Sequence, residues 1–151
     1  MILVLMVLLP IASIVIELVV SGGDADFWFT IGKWFLFWGV GVRLFTAGLS
    51  QALRPQFTAK DILGEAGSPA ALQVVQELGY ANLGMGVVGL IAPWVSDWAI
   101  PAAMPATVFL GLAGVRHIGK SGKNRNELLA TLTDLFVAAV LLVFIVVSVT
   151  T

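Results

Sequence analysis

Five stretches of this 151-residue chain are apolar over a helix-sized length, at about 2–20, 28–52, 70–92, 100–118 and 128–149. Roughly 20 such residues cross the ~30 Å hydrocarbon layer of a bilayer. Inside hydrocarbon every backbone N–H and C=O must find its partner internally, which these segments can do by coiling into helices. The expected fold is all-α: a polytopic membrane protein whose 151 residues form one domain, a bundle of five transmembrane helices.

Composition narrows the function classes. Hydrophobic residues make up 59% of the chain and charged residues only 11%, against about 25% charged in soluble domains. A net charge of -1, with no basic patch interleaved with aromatics, excludes a nucleic-acid partner. With no cysteine, disulfides, thiolate metal sites, iron–sulfur clusters and cysteine nucleophiles are excluded. His117, the single histidine, cannot build a multi-histidine metal or haem centre within one chain. No metal and no cofactor is expected. P-loop, GxGxxG, HExxH and nucleophile-elbow patterns are absent.

The first apolar run has no basic residue before it in Met1–Leu9 and is too long for a signal-peptide core, so we expect it to be a retained span. The loops then alternate in charge. Residues 21–26 carry Asp24 and Asp26, and residues 93–99 carry Asp97, all without a base. Residues 53–69 hold Arg54 and Lys60, and residues 116–125 hold Arg116, Lys120, Lys123 and Arg125. By the positive-inside rule the N-terminus lies in the cytoplasm and the C-terminus outside, in the inner (plasma) membrane of the cell. Trp28, Trp34, Trp94 and Trp98 fall near the outer boundary, where an aromatic belt belongs.

Local signals support these helices. Ser68-Pro69 is an N-cap followed by proline at the first helical position. Asn126 can cap the fifth span, with Glu127 favourable in its first turn. Pro93 closes the third span, and Pro101 and Pro105 stand in the opening turns of the fourth. A short interfacial helix from Thr58 to Leu63 is expected in the longest cytosolic loop. Gly32–Gly39, Gly41–Gly48 and Gly79–Gly86 repeat every seven residues, giving smooth faces for close helix packing within the bundle or against a second copy.

Arg43, Glu77 and Asp134 lie inside apolar segments. A charge near the bilayer centre costs about 2.5–3.5 kcal/mol on insertion scales, so such groups pair or line a polar cavity. Helical spacing puts Arg43, Thr46, Ser50, Gln51 and Arg54 on one face of the second span. It puts Gln73, Glu77, Tyr80 and Gly84 on one face of the third, with Asn82 close by, and Glu127, Thr131, Asp134 and Ala138 on one face of the fifth. The fourth span ends in Arg116-His117. All four stripes lie in the cytoplasmic half.

Two roles fit this cluster. Arg43 can hold Glu77, Asp134 or both as a structural network. Alternatively, Arg43, Glu77, Asn82, Asp134 and His117 can bind an anion or pass protons from a cytoplasmic cavity. His117 reads first as interfacial, donating to Glu127 or to a lipid headgroup, ahead of a proton shuttle and of a metal ligand. Glu17 and Lys33 share a level near the outer boundary and can pair or snorkel. Asp24 and Asp26 read as solvated loop charge, and Lys120–Arg125 as a topology signal touching anionic lipid. Gly41-Val42-Arg43 recurs as Gly114-Val115-Arg116, and Glu77-Leu78 as Glu127-Leu128, a faint sign of duplication.

Gly41-Val42-Arg43-Leu44-Phe45-Thr46-Ala47-Gly48, Arg54-Pro55 and Phe57-Thr58-Ala59, Glu77-Leu78-Gly79-Tyr80-Ala81-Asn82-Leu83, Gly111-Leu112-Ala113-Gly114 with His117, and Thr133-Asp134-Leu135 form a pattern. It resembles a family of small, uncharacterised prokaryotic membrane proteins with a domain of unknown function. The resemblance covers most of the chain after the first span and implies no catalytic role. The leading expectation is a non-enzymatic accessory or scaffolding subunit, with membrane lipids, a second copy or another membrane protein as partners. A small proton-coupled transporter is the alternative, and a membrane enzyme acting on lipid or quinone the third.

Overall fold

The computed structural model describes residues 3–60, 68–119, 122 and 125–150, and every regular element among them is a helix. Helix α1 runs over Val4–Val20, wound as a π-helix in its first turn, Val4–Leu8. Helix α2 (Phe27–Phe35) passes without a break into a π-helical segment, Leu36–Val42, and then into α3 (Arg43–Leu53). A short α4 (Pro55–Thr58) follows. Helices α5 (Pro69–Ile91), α6 (Ala99–Ile118) and α7 (Arg125–Thr150) complete the chain. Two 3-10 turns, Ala92–Trp94 and Ser96–Trp98, link α5 to α6.

Capping chemistry sets several of these ends. The Ser68 hydroxyl accepts from the Ala71 N–H at 3.2 Å with Pro69 at the first helical position, satisfying a donor that the helix leaves open. Asp26 does the same for α2, accepting from the Phe29 N–H at 2.6 Å. Its role is therefore a cap and not merely solvated loop charge. Pro105 stands inside α6, in its second turn. The interfacial helix begins earlier than expected, at Pro55, because proline suits a first helical turn. Its expected continuation to Leu63, with the basic Lys120 and Lys123 and the side chain of Asn126, lies outside the described residues.

The α2–α3 rod is the centre of the bundle. It packs against α1, against α5 and against α7, while α6 lies along α7. The core runs through Met6, Leu36, Val40, Ala103, Ala106, Leu110, Val137, Leu141 and Phe144, all essentially without solvent exposure. Outward faces are also apolar: Leu8, Ile11, Ile16 and Val19 on α1, and Leu128, Leu132, Leu142 and Val146 on α7, are exposed. Helices apolar all round suit a hydrocarbon solvent. α5 with the turn after it, α6 and α7 are each long and apolar enough to cross a membrane.

Close backbone packing joins α5 to α3 and to the π-helical segment before it. A Cβ built on Gly48 would stand 2.6 Å from the Leu83 backbone nitrogen, and one on Gly41 2.8 Å from that of Leu90. From the other side, a Cβ on Gly79 would meet Ala52 and one on Gly89 would meet Gly41. Backbones that approach this closely exclude every larger residue, so the seven-residue glycine repeats are used within the bundle.

Candidate functional site

Arg43 opens α3 immediately after the π-helical segment. Its guanidinium reaches Asp134 of α7 and forms a salt bridge with it, both side chains being largely buried. The stripe that places Asp134 there is continuous: Glu127, Thr131, Asp134 and Ala138 are all buried on the inner face of α7. The Thr131 hydroxyl donates to the Glu127 carbonyl at 2.7 Å, and Thr133 to the Leu129 carbonyl at 2.8 Å. These bonds spare the buried hydroxyls their desolvation cost. His117 is half-buried in the last turn of α6, the helix that lies along α7.

A second polar contact lies further along α3. The Asn82 side chain donates to Gln51 Oε1 at 2.7 Å, with both residues buried between α3 and α5. Arg43 Nη1 and Asn82 Oδ1 are buried and find no hydrogen-bond partner among the described residues.

Glu77 does not join this cluster. It is exposed on α5 and accepts from Gln73 at 3.0 Å, one turn away on the same helix. Gln73, Tyr80, Ala81 and Gly84 share that exposed face, whereas Val75, Gly79, Asn82, Gly86 and Gly89 form the buried one. The polar stripe of α5 therefore points away from the bundle, because the glycine face offers the closer approach to α3. On α3, Arg43 turns to α7 and Gln51 to α5, while Thr46, Ser50 and Arg54 are exposed. The faint repeat has no counterpart in environment: Arg43 is paired and Arg116 exposed, Glu77 exposed and Glu127 buried.

At the other end of the bundle Lys33 holds both oxygens of Glu17 at 2.8 Å, and the Trp34 indole donates to Glu17 Oε2 at 2.6 Å. The Lys33 ammonium also lies over the rings of Trp34 and Trp94, 5.2 and 5.1 Å from their centroids. The Trp38 indole donates to the Ser13 hydroxyl at 3.0 Å. Sequence spacing pointed to the pair but not to its aromatic walls. Trp34 and Trp38, four residues apart next to Lys33, carried that signal.

An open cavity of about 640 Å³ lies between α5 and α6, lined by Gly84, Met85 and Val88 on one side and Pro101 and Pro105 on the other. Asp97 and Trp98 complete it. Neither Arg43 nor Asp134 is among its lining residues, so the cavity and the buried charge pair are separate places. Among the described residues no cluster of three or more histidine or acidic side chains could hold a metal ion.

No curated protein and no solved structure matches the chain. One family model does, and it covers all of residues 1–151. The chain belongs to that family, described as a family of unknown function (DUF6790).

Proposed function

We propose that this protein is a five-span integral membrane protein of a prokaryotic inner membrane, with a cytoplasmic N-terminus, acting as a non-enzymatic accessory or scaffolding subunit. The three long apolar helices, with α1 and the α2–α3 rod as the remaining two spans, support the architecture. The alternation of acidic and basic loops supports the orientation. The observation that carries the scaffolding role is the Arg43–Asp134 salt bridge. It uses the two charges on each other inside the bundle, away from the cavity between α5 and α6.

A carrier is the second reading, favoured by the unpartnered Arg43 Nη1 and Asn82 Oδ1. Proteoliposomes containing a trapped pH-sensitive dye separate the two. A scaffold leaves an imposed pH gradient as stable as in empty vesicles. Proton entry that disappears in a folded Asp134→Asn variant would replace the scaffold with the carrier.

A further inference from the structure

Helices α5 and α6 are consecutive, yet they pack against each other far less than α5 does against α3 or α6 against α7. The cavity lies in this loose seam. Its volume of about 640 Å³ falls within the ~300–1,000 Å³ of pockets that enclose drug-sized ligands. Most of its lining residues, including Gly84, Val88, Pro101 and Pro105, are exposed on the outer surface of the bundle. The seam therefore opens sideways, in the direction from which a lipid would enter.

The polar groups at the seam are mainly acceptors. Asp97 is the ionisable side chain among the lining residues, beside the indole of Trp98. Pro105 has no N–H, so the carbonyl of Pro101 one turn earlier loses its α-helical donor. The outer loops carry Asp24, Asp26 and Asp97 and no base. An apolar channel ending in a carboxylate suits an apolar chain with a cationic, hydrogen-bond-donating head.

Gly84 adds an independent observation. Gly79, Gly86 and Gly89 on the same helix are each held to glycine by close contact with α3 or the π-helical segment, whereas a Cβ on Gly84 would meet nothing within 4 Å. Helix packing does not require glycine there. The missing side chain widens the cavity instead.

We propose that the α5–α6 seam binds a zwitterionic phospholipid of the outer leaflet, with one acyl chain against Gly84 and Val88 and its ethanolamine ammonium at the Asp97 carboxylate. The inference rests on the five-span reading, which puts Asp97 and Trp98 at the outer interface.

Native mass spectrometry of the delipidated full-length protein, titrated with phosphatidylethanolamine or phosphatidylglycerol of matched chains, tests it. Wild type should bind the ethanolamine lipid more tightly. Asp97→Asn should reduce that preference about fivefold, the size of one charge interaction at a membrane surface. Gly84→Leu should abolish binding of both lipids without lowering thermal stability. Equal binding of the two lipids by wild type, or full binding by Gly84→Leu, would overturn the proposal. So would a dimer that Gly84→Leu dissociates, which would make the seam a contact between copies. Accessibility of a cysteine placed at Val95 reports separately on the orientation: labelling only from the cytoplasmic side sinks the assignment of the seam to the outer leaflet whatever the lipids do.

Discussion

Removing one charge from the Arg43–Asp134 pair leaves the other buried without a counter-ion, a change that costs about 3–5 kcal/mol in buried pairs. Arg43→Gln and Asp134→Asn should therefore each lower the thermal unfolding midpoint in detergent sharply. The double variant should recover most of the loss, because neither site then holds a net charge. A double variant as unstable as the sum of the singles would mean that the two residues do not act as a pair. Glu17 is tested the same way at the other end. Glu17→Gln loses the charge that Lys33 holds at 2.8 Å and weakens the acceptor of the Trp34 indole. A loss of about 1–3 kcal/mol is expected, read from unfolding and from the Trp fluorescence of the clasp. At this scale the sequence was legible where an element has one buried face. Glu127, Thr131 and Asp134 recur at helical spacing and all turn inward. Glu77 was not legible, because periodicity groups Gln73, Glu77 and Tyr80 on one face without saying which way that face looks.

A glycine in the α3–α5 contact and one outside it make an opposed pair of predictions. Gly48→Ala pushes a methyl group towards the Leu83 backbone, and backbone cannot move aside without parting the helices. Loss of several kcal/mol is expected, since overpacking a rigid contact typically costs about 1–3 kcal/mol even where side chains can adjust. Gly84→Ala enters open space and should stabilise the detergent-solubilised protein by up to about 1 kcal/mol, the helix-propensity difference. Opposite signs in the two unfolding midpoints would check both. The π-helical segment was beyond sequence reading, since no residue pattern separates an i→i+5 turn from an i→i+4 one. It leads without a break into α3, whose first residue is Arg43.

For the molecule as a whole, the five apolar runs and the helices that form over them differ by a few residues at each end. The bundle order, with α2–α3 at the centre, was not legible because glycine faces do not name their partners. Orientation is checked with single cysteines in a chain that contains none. One at Asp24 should be labelled from outside and one at Lys60 only after the membrane is permeabilised. The reverse pattern would invert the topology. The salt bridge also has a consequence in time. Arg43 and Asp134 sit on the second and the last apolar segments, so a ribosome makes the arginine about ninety residues before its aspartate. At about 5–20 residues per second, the nascent chain carries an uncompensated arginine for about 5–20 s, and a chain released early never neutralises it. The pair can form only once α7 has been made, which makes it a late contact in the assembly of the bundle.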